Sequence, residues 1–460
     1  MGPPLTSVKA LFSERLESVP VTRFHYRLLA VLGLGWMFDS MDILMIGYVL
    51  AWLGRPDVWG LSQDLALVTI SVGLVGLLVG ALASGYIADV WGRKRVFQFT
   101  LLVYSVFTAL SALSPNILVL MALRFIAGIG MGGELPVVSA MLSEFVPGKV
   151  RGRFVVLLES FWAYGAVAAA LVGYFVIPNL GWQAAMLIGG LPALLVFLIR
   201  RTLPESPRYL AMKGLRDEAE MVVRKVEASA GIPSPALPYR TGSAPSPPSL
   251  PFRDLLSRIY RRRTLTLWIL WFCITFTYYG IFTWLPTALS VELRSITKGF
   301  EYVLIITLAQ VPGYLSAAYL VEKLGRRPVL SLYLVLSGAF AYLFGTSTSD
   351  LTLMATGSMM SFFNLGAWGV LYTYTPEQYP TRARGTGSGA ASAVGRVGGI
   401  LAPLAVRALS ANFYSVFLLN ASLLALAAFA MLALGEETKG QTLERAAKEA
   451  GPGQTDLPTK

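Results

Sequence analysis

The chain has 460 residues, of which 55% are hydrophobic and only 14% are charged. Soluble domains carry about 25% charged residues, so this composition excludes an ordinary soluble protein and indicates an integral membrane protein. The net charge of +12 would suggest nucleic-acid binding only if the protein were soluble.

Twelve apolar runs reach about 20 residues, the length that crosses a hydrocarbon core of about 30 Å. We therefore predict an all-α integral membrane fold with twelve transmembrane helices. The first six spans are expected at 26–53, 66–89, 97–114, 117–143, 153–177 and 182–203. The second six are expected at 264–289, 302–320, 328–345, 351–374, 385–408 and 414–434.

The basic residues predict the orientation of these spans. With the N-terminus inside, nearly all of the 38 Lys and Arg residues lie on the inner side, as the positive-inside rule requires. The exceptions are Arg55, Arg294, Lys298 and Arg407 on the outer side, and Arg124 and Arg396 within spans. We expect a multi-pass protein of the cell membrane with both termini cytoplasmic, contacting lipid and no nucleic acid.

Cysteine and histidine are nearly absent. Cys273 and His25 are the only residues of their kinds, which predicts no disulfide, no metal site and no cofactor. The N-terminus is polar and the first apolar run is too long for a signal peptide, so no cleavable signal is expected. An enzyme is not expected, since no nucleophile–base pair is visible.

The loop between the two groups of spans divides the chain. It begins "PESPRYL", continues through the helix-compatible "RDEAEMVVRKVEAS" and then carries seven prolines between Pro233 and Pro251, which is typical of a linker. We expect an N-terminal bundle (1–203), a cytoplasmic loop with short helices (204–263), a C-terminal bundle (264–434) and a cytoplasmic tail (435–460).

Two loop motifs occur once in each half. "GYIADVWGRKR" (85–95) corresponds to "AYLVEKLGRRP" (318–328), and "EFVPGKVRG" (144–152) corresponds to "EQYPTRARG" (377–385), both with an offset of 233 residues. The shared offset predicts two six-helix bundles related by pseudo-two-fold symmetry, an architecture in which transporters place substrate near the bilayer midplane.

These inner-side motifs suggest a cytoplasmic gate whose ion pairs break and re-form, although the basic residues could instead merely follow the positive-inside rule. The predicted gate residues are Gly85, Asp89, Gly92, Arg93, Arg95, Glu144, Arg151, Glu205, Arg208, Glu322, Gly325, Arg326, Glu377 and Arg384.

The chain resembles the major facilitator superfamily over roughly residues 22–445. "GYIADVWGRKR" is similar to the superfamily's loop 2–3 signature, "RFIAGIGMGGE" (124–134) to its span-four motif, and "PESPRYL" and "ETKGQTLE" to sugar-porter signatures, with Glu436 where proline is usual. The double-glutamine sugar motif of span seven and the Gly-Pro antiporter motif of span five are absent. "FDSMD", "VVLLESFWAYG" and "YTPEQYPTRARGTGSG" resemble the branch of bacterial niacin permeases, synaptic vesicle glycoprotein 2 relatives and organic ion carriers.

Four charged residues deep within the first six spans are candidates for function. An ionisable group at the bilayer centre costs roughly 2.5–3.5 kcal/mol, so it is a functional candidate. The helical rise places Glu134 at a depth of ~16 Å from the inner side, Asp39 at ~20 Å, Asp42 at ~24 Å and Arg124 at ~32 Å, within reach of Asp42. We predict proton coupling through these four residues; the alternative is a permanent ion pair that joins spans one and four.

The second half lacks these acids and carries a lone cation at mid-membrane, Arg396, for which a substrate carboxylate would be a suitable partner. The alternative is a contact to Glu134 or to a backbone carbonyl. Polar and aromatic side chains at similar depth are predicted to contact the substrate or to pack between helices: Tyr278, Tyr279, Gln310, Asn364 and Trp368.

The expected function is proton-coupled import of a small organic anion, such as the aromatic monocarboxylate nicotinate, by a monomer that works by alternating access. The resemblance and the lone arginine indicate the same substrate class. The alternatives are an organic cation carrier in which Asp39, Asp42 and Glu134 bind the substrate, a sugar porter, and a solute receptor that does not transport.

Overall fold

The structure is a computed structural model that describes residues 12, 14–232, 252–379, 381–409 and 412–439, with the backbone alone at 85, 86, 89, 135, 136, 149, 200, 381 and 382. Every regular element in these ranges is helical. The chain forms two compact units: an N-terminal unit (Met1–Ser246 and Phe282–Thr307) and a C-terminal unit (Pro247–Ile281 and Leu308–Lys460).

The N-terminal unit contains the first ten helices and two short helices from later in the chain. They are α1 (Arg23–Leu53), α2 (Gln63–Trp91), α3 (Arg93–Ser111), α4 (Ile117–Gly132), α5 (Glu134–Phe145), α6 (Gly148–Leu171), α7 (Ile177–Gly189), α8 (Leu195–Thr202), α9 (Pro207–Met212), α10 (Arg216–Ser229), α12 (Leu285–Glu292) and α13 (Ile296–Leu308). A π-helical turn, Val172–Val176, joins α6 to α7, and a 3₁₀ turn, Leu191–Leu194, precedes α8.

The C-terminal unit contains the remaining helices. They are α11 (Arg261–Phe282), α14 (Gln310–Leu324), α15 (Arg326–Gly345), α16 (Asp350–Glu377), α17 (Thr381–Leu409) and α18 (Phe413–Leu434). A 3₁₀ turn, Phe252–Leu256, precedes α11.

Nine helical stretches of the described residues are long and apolar enough to cross a membrane. One of them, Val150–Ile199, has 50 residues and is long enough for two crossings. The predicted third and tenth spans are the more polar helices α3 and α16. These helices account for the twelve predicted crossings.

Three predicted spans are each interrupted within the membrane. Span four divides at Gly133, span seven after Phe282, and span eight at Ala309. A proline follows each break and lacks the N–H that would continue the helical ladder: Pro136, Pro286 and Pro312. As a result, Glu134 and Gln310 each begin a new half-helix, a position that the expectation of continuous spans missed.

Close helix packing in the N-terminal unit depends on small residues. A Cβ at Gly76 or Gly80 of α2 would overlap a backbone carbonyl of α4, and a Cβ at Gly128 or Gly132 of α4 would overlap one of α2. The backbones of α2 and α4 are therefore in direct contact, and this contact fixes the position of Arg124 on α4.

The chain before α1 forms an N-terminal arm, residues 12 and 14–19, that packs on α10. Phe12, Leu16 and Val19 are buried. Arg15 donates hydrogen bonds to Glu220 at 2.6 Å and bidentately to Glu227 at 2.8 and 2.7 Å. Apolar burial and paired charges together hold the arm in place.

A second contact ties the arm to the start of α6. Glu17 accepts a hydrogen bond from the backbone amide of Gly148 at 2.6 Å and pairs with Arg151. Burial favours the neutral form of Glu17, but these hydrogen bonds outweigh it and hold its pKa below the ordinary value. Burial likewise opposes ionisation of Glu220, and Arg15 outweighs it, so this pKa is lowered too.

Acidification is therefore expected to release the arm. An acid whose pKa is lowered in the folded state stabilises that state at pH values above its unfolded pKa, which is about 4.3 for glutamate. This stabilisation is lost as the pH falls through the lower pKa of the folded state. We expect pepsin, which is active in acid, to begin cutting the arm below about pH 4. E17Q and E220Q should release the arm at neutral pH, whereas E14Q, at an exposed neighbour, should not. Uniform protection of the arm until global unfolding would contradict this prediction.

Candidate functional site

Asp42 of α1 and Arg124 of α4 form a buried ion pair in the N-terminal unit. Both side chains are at most 3% exposed. Arg124 Nη2 bonds Asp42 Oδ2, and Nη1 lies 3.2 Å from Oδ1. Thr108 of α3 donates to Asp42 Oδ1 at 2.9 Å and accepts a hydrogen bond from Arg124 Nη1 at 2.9 Å. The contact inferred from helical depth is present, and a third helix closes it.

Asp39 and Glu134 form a different arrangement one helical turn away. Asp39 of α1 is 1% exposed, and Glu134, the first residue of α5, is fully buried. The two carboxyl groups are within hydrogen-bonding reach of one another. None of their four oxygens accepts a hydrogen bond from a donor among the described residues. The structure thus separates the three predicted acids into one paired with arginine and two without a donor.

A further buried acid, Glu159 of α6, is only 3% exposed. It is within hydrogen-bonding reach of Trp36, whose ring packs against Trp162 with centroids 4.8 Å apart. The indole nitrogen of Trp36 nevertheless forms no hydrogen bond among the described residues.

Arg396 of α17 lies among aromatic side chains in the C-terminal unit. The residue is partly exposed, and its guanidinium donates a long hydrogen bond of 3.4 Å to Ser392 Oγ. Tyr279 and Tyr372 lie within electrostatic range of it. Among the described residues of this unit, no carboxylate forms an ion pair with Arg396.

The aromatic rings of this region contact one another. The ring of Trp368 stacks on Tyr372 with centroids 5.5 Å apart and meets Tyr278 and Trp271 edge-on at 5.9 and 5.7 Å. Tyr278 in turn contacts Tyr279 at 5.7 Å. Trp271 is held by a 2.9 Å hydrogen bond from its indole nitrogen to a threonine of α16. Trp368, Tyr372 and Tyr279 are partly exposed, so this aromatic surface has open faces.

Three predicted binding residues retain free hydrogen-bonding groups. Gln310 is fully buried and Asn364 is 1% exposed, yet neither side-chain amide has a partner among the described residues. The indole nitrogen of Trp368 also has none. A buried polar group without a partner is costly, so these amides and the indole are available to hydrogen-bond a ligand.

The first of the two repeated loop motifs is organised around a buried turn. Gly92 joins α2 to α3 with φ 98°, a conformation that favours glycine. Glu205 accepts hydrogen bonds from the backbone amides of Arg93 at 3.0 Å and Lys94 at 3.2 Å, which caps α3. Burial nevertheless raises the pKa of Glu205. The Arg93 side chain lies 3.5 Å from Glu144.

The second motif repeats this local structure in the other unit. Gly325 joins α14 to α15 with φ 101°. Glu437 accepts hydrogen bonds from the backbone amides of Arg326 and Arg327, both at 3.0 Å. Arg326 also pairs with Glu377 at 3.1 Å. The 233-residue repeat thus corresponds to a repeated capping structure.

The other predicted gate residues make separate contacts. Arg151 donates to Val146 O at 3.2 Å in addition to pairing with the N-terminal arm, and Arg208 acts electrostatically on the same arm. Arg384 donates to Pro376 O at 3.1 Å.

Four predicted gate residues remain: Glu322, Asp89, Gly85 and Arg95. Glu322 lies 3.5 Å from the guanidinium of Arg326, one helical turn later. The side chain of Asp89 lies outside the described residues, and Gly85 is described by its backbone alone. Arg95, in the first turn of α3, is exposed.

Comparison with known families identifies the class. Residues 32–450 match the family described as "Sugar (and other) transporter". The chain belongs to this family, within the major facilitator superfamily. It is therefore a multi-pass membrane transporter of a small molecule, and the predicted superfamily membership and twelve-helix fold are confirmed.

Two curated relatives resemble the transporter along nearly its whole length. A niacin transporter of Acinetobacter baylyi is 48% identical, covering 94% of this chain and 98% of the relative. A putative niacin/nicotinamide transporter of Bacillus subtilis is 44% identical, covering 91% and 98%. The predicted resemblance to the niacin permease branch is also confirmed.

A solved structure shows the same fold. The xylose transporter of E. coli, in a partially occluded inward-open conformation, superposes with a TM-score of 0.72 at 18% identity, covering 92% of this transporter and all of that chain.

Sequence reasoning missed several contributors to these sites. Thr108 bridges the buried ion pair, Tyr372 lies within electrostatic range of Arg396, and Trp271 packs against Tyr372. None carries a sequence signal, because threonine and aromatic residues occur throughout apolar spans. Glu437 could have been found, since "PESPRYL" and "ETKGQTLE" each place a glutamate after the last span of a half.

Proposed function

We propose that the transporter imports a small organic anion, an aromatic monocarboxylate such as nicotinate, in symport with protons. Import occurs at the plasma membrane by a monomer with cytoplasmic termini, and the inner-side capping structures act as the cytoplasmic gate.

The observation that carries this proposal is the setting of Arg396. The guanidinium of this partly exposed residue, without a carboxylate partner in the described C-terminal unit, lacks the anion that such a group ordinarily pairs with. A carboxylate can accept two parallel hydrogen bonds from it. The open faces of Tyr279, Trp368 and Tyr372 provide surfaces on which a planar ring can stack.

The free amides of Gln310 and Asn364 support the same substrate class, because a ring nitrogen or a carboxylate oxygen could satisfy their donors. The niacin relatives at 48% and 44% identity support it independently of the geometry. The mid-membrane acids of the N-terminal unit are the candidates for coupling.

Uptake by purified transporter in proteoliposomes tests the proposal. Labelled nicotinate should accumulate when the outside is acidic, and the accumulation should stop when a protonophore collapses the gradient. Nicotinamide, which has the same ring but no charge, should compete poorly. Equal transport of the neutral amide, or accumulation that is indifferent to the gradient, would contradict the proposal.

A second candidate function is transport of organic cations. It is favoured by Asp39 and Glu134, whose oxygens lack donors among the described residues and could face a cationic group. The same proteoliposomes distinguish the two functions, because a cation carrier would accumulate quaternary amines when the interior is negative and would ignore nicotinate.

A further inference from the structure

The buried acids of the N-terminal unit differ in what surrounds them. Both oxygens of Asp42 are occupied by Arg124, and Thr108 adds a hydrogen bond to one of them. Asp39, one turn earlier on the same helix, and Glu134 on α5 have no donor among the described residues. These two carboxyl groups instead lie within hydrogen-bonding reach of each other.

Two carboxylates in contact cannot both be ionised in a dry site without a counter-ion, because desolvation and mutual repulsion both oppose the second charge. One proton resolves the conflict, since the protonated group becomes the O–H donor that the other carboxylate lacks. A second proton would leave two neutral acids and remove the charge-assisted hydrogen bond that stabilises the pair. The geometry therefore suits a single proton.

Among the described residues, several titratable groups lie around the pair. On α1, Asp42 adds a negative charge, which Arg124 of α4 neutralises. From α3, the hydroxyl of Tyr104 is fully buried, without a partner among the described residues, and within electrostatic range of Asp39 and Glu134. On α6, Glu159 is a further buried acid, and it lies close to Trp36 of α1.

Two backbone features place Glu134 there. A Cβ at Gly35 of α1 would overlap Glu134 Oε1, so only glycine leaves room for this carboxyl group beside Asp39. The helix break at Gly133 makes Glu134 the first residue of α5, where the helix dipole favours a negative charge. The site can thus stabilise either protonation state of the glutamate.

We infer that Asp39 and Glu134 together hold the one transported proton, while Asp42 stays ionised against Arg124 throughout the cycle. This inference rests on the proposed proton coupling and narrows its three acids to one pair.

Infrared spectroscopy of the purified protein tests the shared proton without any substrate. Replacing one acid by its amide supplies an N–H donor in place of the proton, so the remaining carboxylate stays ionised. D39N and E134Q should each remove one buried carboxylic-acid band from the wild-type spectrum, and D39N/E134Q should remove no more than either single variant. D64N, at an exposed acid of α2, should leave the band unchanged. Loss of two bands in the double variant, or of none in a single variant, would overturn the inference.

Transport measurements then identify which acids carry the coupled proton. In D39N and E134Q, exchange of labelled nicotinate for internal nicotinate should continue, because exchange needs no net proton movement, while gradient-driven accumulation should be lost. Folded D42N protein that exchanges without accumulating would place the proton on Asp42 instead and overturn the inference. Failure of the wild type to transport nicotinate would defeat the proposed function alone, since the infrared result does not depend on substrate.

G35A provides an independent perturbation of the pair. The added methyl group displaces Glu134 without removing a titratable group, so the shared-proton band should shift or disappear. The matched variant G152A, at a position with open space, should leave the band in place. An unchanged band in G35A would contradict the assigned position of the proton.

Discussion

D42N is expected to lower the free energy of unfolding of the transporter by about 3–5 kcal/mol, because it leaves the guanidinium of Arg124 buried without its anion. R124Q should cost a similar amount, since it strands Asp42. Thermal unfolding in detergent, monitored by intrinsic fluorescence at a fixed scan rate, measures the loss as a lowered midpoint.

The double variant D42N/R124Q should recover much of this loss, because a neutral amide pair carries no uncompensated charge. T108V is the matched control: it removes a hydrogen-bonding neighbour while the ion pair remains, and should cost about 1 kcal/mol. Equal losses in the double and single variants would contradict a coupled ion pair and indicate that Asp42 and Arg124 act independently.

R396Q is expected to abolish most nicotinate uptake. Hydrogen bonds to a charged group contribute about 1.5–3 kcal/mol each, and two of them amount to a loss of affinity of about a hundredfold or more, since 1.4 kcal/mol is tenfold. The apparent KM of uptake in proteoliposomes should rise accordingly. R396K keeps the charge but not the two-pronged geometry, so its uptake should be intermediate.

R407Q is the matched control for this measurement. Arg407 lies on the same helix, α17, in its last turn, and its replacement should leave the KM unchanged. Unchanged nicotinate uptake in R396Q would remove the basis of the proposed anion site, and improved uptake of organic cations would favour the alternative substrate class.

Hydrophobic periodicity and internal repeats predicted much of the architecture because both can be read directly from the sequence. The 233-residue offset pointed to Gly92 and Gly325, and both adopt nearly the same positive φ. Helix depth predicted that Arg124 reaches Asp42, since a rise per residue and a long side chain suffice for that estimate.

The helix breaks and side-chain partners could not be predicted in the same way. Hydropathy treats span four as continuous, whereas Pro136 ends the ladder at Gly133 and moves Glu134 to a helix start. The place of Glu134 beside Asp39 depends on Gly35, a residue whose importance appears only when two helices are brought together. Glu437 was not predicted as the counterpart of Glu205 because it lies 232 residues after it, one residue fewer than the offset of the other motifs.

The docked N-terminal arm has a consequence for biosynthesis. Arg15 forms its ion pairs with Glu220 and Glu227, which lie 205 and 212 residues later in the chain. The arm therefore cannot reach its final position until Glu227 has emerged from the ribosome. During synthesis of the first six spans, Arg15 therefore remains without Glu220 and Glu227, and the arm that it anchors stays undocked. Nascent chains arrested before α10 should bind chaperones through this segment, and chains arrested after it should not.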